Sequence, residues 1–102
     1  MKFQIEADAL HLSGKIGRED VTLLITALTE YIQNQEDSVI LDLSDVETMD
    51  TMALQTFIAT KRSVKQANKT FKLFNINEGL KEIFNITGMD AVFKNSIDQK
   101  IN

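Results

Sequence analysis

Apolar and polar residues alternate from the start of the chain: Phe3 and Ile5 are flanked by Lys2, Gln4 and Glu6, and Leu10 and Leu12 by His11 and Ser13. A period of two belongs to strands with one buried face. The pattern predicts two such strands joined near Ala7-Asp8 as an opening hairpin. From Glu19 the period lengthens, and Val21, Leu24, Ile25, Leu28 and Ile32 form the apolar stripe of an amphipathic helix ending near residues 33–35. Ser38 to Leu43 is apolar at nearly every position, the mark of a central strand covered on both faces.

A polar turn comes next at Ser44-Asp45, and then Leu54, Phe57, Ile58 and Val64 mark a second helix reaching about Ala67 and beginning at Thr51. Phe71 to Ile76 reads as a further strand. Asn77 is placed to cap a third helix with Leu80, Ile83 and Phe84 on its apolar face, and Gly88 to end it. A short closing strand is expected at Val92-Phe93 or Ser96-Ile97. This order predicts an α/β fold: a mostly parallel or mixed sheet of four to five strands, with an edge hairpin and three or more helices packed mainly on one face. The chain has no proline, low-complexity stretch or internal repeat to mark a boundary, so residues 1–102 are expected to form one domain.

Composition narrows the function classes. Eleven basic against 15 acidic residues give a net charge of −4, which argues against direct nucleic-acid binding, because phosphate backbones demand a basic face. With no cysteine in the chain, disulfides, thiolate metal sites and a cysteine nucleophile are excluded. No run approaches the roughly 18 apolar residues of a membrane span, and the first residues lack the apolar core of a signal peptide. The expectation is a cytoplasmic protein without membrane insertion.

Catalytic chemistry is sparse. His11, the single histidine, has no cysteine or spaced serine partner, and reads as a surface or hydrogen-bonded structural residue. Gly14-Lys15-Ile16-Gly17 lacks the spacing of a phosphate-wrapping loop and reads as a turn. Asp42, Asp45 and Asp50 show no ordered ligand pattern, so a solvated loop is favoured over a cation site, and no metal or other cofactor is expected. Met49, Met52 and Met89 read first as core filler, Met52 with the strongest competing role as a contact beside a hydroxyl.

The pair Asp50-Thr51 opens the second helix. Asp50 suits the N-cap, where its carboxylate accepts backbone N–H bonds two or three residues on. Thr51 is then either simply the first helical residue or an accessible hydroxyl for phosphorylation.

The run from Val39 to Phe93 resembles the STAS domain of bacterial anti-sigma factor antagonists: an apolar strand ending Leu41-Asp42-Leu43, an acid-hydroxyl pair opening a helix, another apolar strand, and a late Thr87-Gly88-Met89. Leu10 to Ile16 is similar to that family's early strand and glycine turn, and the likeness covers about residues 3–97. The resemblance implies a non-enzymatic partner switch that binds a serine-kinase anti-sigma factor when unphosphorylated, is phosphorylated by it at Thr51, and is restored by a PP2C-type phosphatase. It implies a contact surface of Met49, Asp50, Thr51, Met52 and Gln55, with Asp45 and His11 or Lys15 at its rim. The family often has glycine after the hydroxyl residue, where this chain has Met52 and then Ala53. Other readings are a constitutive STAS subunit of an ABC-type lipid-transport complex and a small-molecule binder, for instance of a nucleotide.

Overall fold

The computed structural model describes residues 1–98, so the last four residues of the expected domain lie outside the described part. Five strands form one sheet in the order β1 to β5: β1 (Lys2–Glu6), β2 (Ala9–Ile16), β3 (Ser38–Met49), β4 (Thr70–Phe74) and β5 (Ile97–Asp98). β1 and β2 pair antiparallel, and all other pairs are parallel. Between them run α1 (Val21–Gln33), preceded by a 3₁₀ turn at Arg18–Asp20, then α2 (Thr51–Gln66), α3 (Glu78–Thr87) and the short α4 (Met89–Val92).

The hairpin turns at Ala7 and Asp8, as expected, with φ of 53° and 65°. Two successive positive φ angles are what a two-residue turn needs to match the twist of its strands. Tyr31, fully buried on α1, ties this turn to the central strand: its hydroxyl donates to the Asp8 carbonyl at 2.7 Å and accepts from the Ile40 N–H at 3.1 Å. Burial pushes the Tyr31 pKa up, partly offset by the Ile40 bond, while the Asp8 charge adds to the rise.

Because the parallel strands succeed one another in a single direction, crossovers of the usual right hand place the helices of the described residues on the same face. Burial along the strands agrees. Val39, Leu41, Leu43, Phe71 and Leu73 are buried, whereas the alternate residues Ile40, Asp42, Lys72 and Phe74 are only half-buried. The expectation that Ser38 to Leu43 is covered on both faces is therefore corrected: β3 is central in the sheet, but only one face carries helices. Ile25, expected in the core stripe of α1, is half exposed.

A second correction concerns the turn expected at Ser44-Asp45. β3 runs through it to Met49. From Leu10 to Ile16, β2 advances six residues while its partner advances eight, from Leu41 to Met49, with irregularities after His11 and after Gly14. Bulges of this kind insert an unpaired residue and reset the alternation, so the buried positions Leu43, Val46 and Met49 fall three apart. The same irregularity explains the turn expected at Gly14 to Gly17: β2 continues to Ile16, with Gly14 at φ 88°, a conformation that favours glycine. The closing strand lies at Ile97–Asp98, and Val92-Phe93 instead ends α4.

Candidate functional site

Parallel pairing brings the carboxyl ends of β2 and β3 side by side, with Ile16 opposite Met49 and the Asp50 N–H donating to the Ile16 carbonyl at 3.1 Å. The segments leaving these two strands therefore share one surface: the 3₁₀ turn after β2, and the start of α2 after β3. Asp50 has extended dihedrals (φ −90°, ψ 178°), and its Oδ1 accepts from the Ala53 N–H at 3.0 Å, which makes it the N-cap of α2. Thr51 is the first helical residue. It is exposed, and its hydroxyl makes no hydrogen bond among the described residues.

Around Thr51, Met52 is 43% exposed and Gln55 is exposed, so both present their side chains to solvent beside the hydroxyl. Met49 does not. It is 5% exposed and packs in the core, because the second bulge of β3 turns it toward the helices, and this corrects its placement on the contact surface. Ala53, also buried, lies under the first turn and cannot meet a partner.

Asp45 is separated from this group. It lies opposite Ser13, three residues before Ile16 on β2, a step of roughly 10 Å at ~3.3 Å per residue. Its side borders a different depression of about 680 Å³, shared with Lys2, Gly14, Glu47 and Asn77. His11 is farther still, five residues before Ile16 and so roughly 16 Å back along the strand. Its Nδ1 lies 3.4 Å from Asp42 Oδ2 on the sheet face without helices, in keeping with the structural role read from the sequence. Of the three rim candidates, only Lys15 is near, paired opposite Thr48 at the end of β2.

The three aspartates considered for a cation do not converge: Asp42 and Asp50 are engaged separately, and Asp45 lies apart from both. Asp42 accepts from the Ser44 N–H at 2.9 Å and from Asn75 Nδ2 at 3.0 Å. Burial alone would raise its pKa, but the Ser44 bonds, the Asn75 bond and attraction to His11 together hold it below the usual carboxylate value. Asp50 is engaged as a cap, and Asp45 belongs to the separate depression.

Two neighbours of Thr51 escaped the sequence reading. Arg18 borders a depression of about 410 Å³ together with Asp50, Thr51 and Met52. The signal available was its place just after a strand parallel to β3, but that becomes informative only once the pairing is known. The other is an apolar groove of about 530 Å³ between α1 and α2, walled by Ile25, Leu28, Ile32 and Ala59, into which Met52 and Gln55 open. No charged side chain lines it. Grooves of this size and polarity are suited to docking.

The chain belongs to the STAS domain family, which matches residues 3–101. Among curated proteins, a Thermotoga neapolitana protein named as a candidate anti-sigma factor antagonist is 29% identical over 65 residues, covering 64% of this chain and 58% of its own length. The anti-sigma-B factor antagonist of Bacillus subtilis is 38% identical over 50 residues, covering 49% of this chain and 46% of its own. The chain spans about half the length of the curated relatives it matches. A crystal structure of a candidate anti-sigma factor antagonist from Thermotoga maritima superposes with a TM-score of 0.76 at 21% identity, covering 98% of this chain and 86% of that one. At that identity the likeness establishes the shared fold. No helix among the described residues is long and apolar enough to cross a membrane.

Proposed function

We propose that this STAS domain is an anti-sigma factor antagonist-like partner switch, acting in the cytoplasm, with Thr51 as its phosphorylation site. The observation that carries the reading is the division of labour at the start of α2: Asp50 alone caps the helix, leaving the Thr51 hydroxyl exposed and without a partner among the described residues. The names of the curated relatives support the same role.

In the unphosphorylated form, a serine-kinase anti-sigma factor binds over Thr51, Met52 and Gln55 and into the adjoining α1–α2 groove. Exposed Met52 and Ile25 supply apolar area, and the uncharged walls impose no desolvation of charge. Phosphorylation occurs when Thr51 Oγ1 attacks the γ-phosphorus of ATP held by the kinase. The new O–P bond forms as the bond to ADP breaks, and the hydroxyl proton passes to a base of the kinase. The product carries about −1.5 to −2 charge at that point of the surface. Such a charge next to Asp50 and Met52 has to be desolvated in the complex, so binding is lost without refolding. A PP2C-type phosphatase restores the hydroxyl by hydrolysis to inorganic phosphate.

Incubation with the cognate kinase and ATP should add one phosphate by mass spectrometry, located on Thr51, and Thr51→Ala should abolish it. Thr51→Glu should weaken kinase binding by calorimetry, roughly tenfold or more, since a buried unpaired charge costs above 1.4 kcal/mol. Equal affinity of wild type and Thr51→Glu for the kinase would sink the switch.

A further inference from the structure

Arg18 is exposed and pairs with no carboxylate among the described residues. The acids next to it in sequence do not engage it. Asp20 Oδ2 accepts from the Gly17 N–H at 3.0 Å, and its Oδ1 lies 3.6 Å from the Met1 ammonium. Glu19 folds back over Gly17, so close that a Cβ built there would fall 2.9 Å from Glu19 Oε1. The Asp50 carboxylate, which borders the same depression, is turned into α2 to accept from the Ala53 N–H. Arg18 thus lines the same depression as Thr51, with its guanidinium donors unused among the described residues.

We propose that Arg18 is the intramolecular receiver of the phosphate on Thr51. Guanidinium matches phosphate as a planar fork of donors, and keeps its charge at all relevant pH. Once Thr51 is phosphorylated, Arg18 closes across the depression onto the phosphate oxygens. The phosphorylated state is then a defined surface, in which the anion is drawn toward the 3₁₀ turn, and Arg18 is withdrawn from any partner. The clamp also makes the phosphate a poorer substrate for the phosphatase, because the bond to Arg18 has to break before the phosphate can enter another site. This inference rests on Thr51 being the phosphorylated residue in the cell, but its test does not depend on a kinase.

Phosphothreonine is installed at position 51 by genetic code expansion, and the second phosphate ionisation is tracked by ³¹P NMR. The charged groups around the phosphate are Arg18, Glu19 and Asp20 of the 3₁₀ turn, Lys15 at the end of β2, and Asp50 at the cap. A nearby cation favours the dianion and lowers its pKa from the ordinary value of about 6. Arg18→Gln should therefore raise that pKa, by roughly 0.5 unit for an exposed pair. Arg18→Lys should keep most of the shift. Lys81→Gln, which makes the same change in net charge on α3, should leave the value where it is. The difference should shrink as salt rises. Identical titrations for the wild type and Arg18→Gln, or an equal shift from Lys81→Gln, would overturn the clamp. Failure of the kinase to modify Thr51 would instead overturn the switch, and leave this measurement standing.

Discussion

At the scale of single residues, Asp50 and Thr51 divide between them what one polar residue often does at a helix start. Asp50 accepts the Ala53 N–H, and Thr51 is spared that duty. The two substitutions should accordingly separate. Asp50→Ala removes the cap and should cost about 1 kcal/mol, seen as a lower urea midpoint at unchanged slope. Thr51→Ala, at an exposed position without hydrogen bonds among the described residues, should stay within about 0.5 kcal/mol of wild type. The cap was legible in the sequence because it is a contact between residues three apart. The inward turn of Met49 was not, since nothing local distinguishes a methionine that ends a strand facing helices from one that ends it facing solvent.

At the scale of elements, the helices were legible because an apolar stripe at helical spacing survives in any tertiary setting; α1, α2 and α3 lie within two residues of the spans read from the stripes and caps. β3 was legible only to Leu43, since its two bulges replace the alternation of a strand with a spacing of three. The opening hairpin was read correctly at Ala7-Asp8, yet it uses an alanine at φ 53°, where a side chain costs energy. Ala7→Asn, better tolerated at positive φ, should stabilise the protein by roughly 0.5–1 kcal/mol. A rise in thermal midpoint of a few degrees would register it. No rise would mean that the turn is held by the Tyr31 bond to Asp8 more firmly than by its own backbone preference.

For the molecule as a whole, helices crowd one face of the sheet and leave the other to half-buried residues such as His11, Asp42 and Ile40. A carboxylate on that face is stabilised by being charged. Because the Asp42 pKa is lower folded than unfolded, the unfolded chain binds its proton first. The stabilisation is fully present above the unfolded value near 4, and is lost as pH falls through the folded one. Asp42→Asn should therefore flatten the loss of stability below about pH 4 in denaturant titrations, and removal of the His11 and Asn75 partners should raise the Asp42 pKa measured by carboxyl NMR.

Sequence by itself determined the α/β class, the order of elements, the central place of β3 and the capped start of α2. All of these depend on spacing along the chain or on hydrogen bonds that span a few residues. Tertiary structure alone decided which side chains share the Thr51 surface. Parallel pairing of β2 with β3 sets Arg18 beside Thr51, the bulges bury Met49, and the register leaves Asp45 and His11 behind. Residues 33 apart, as Arg18 and Thr51 are, meet only through strand register, and a register altered by bulges leaves no period in the sequence from which that meeting can be read.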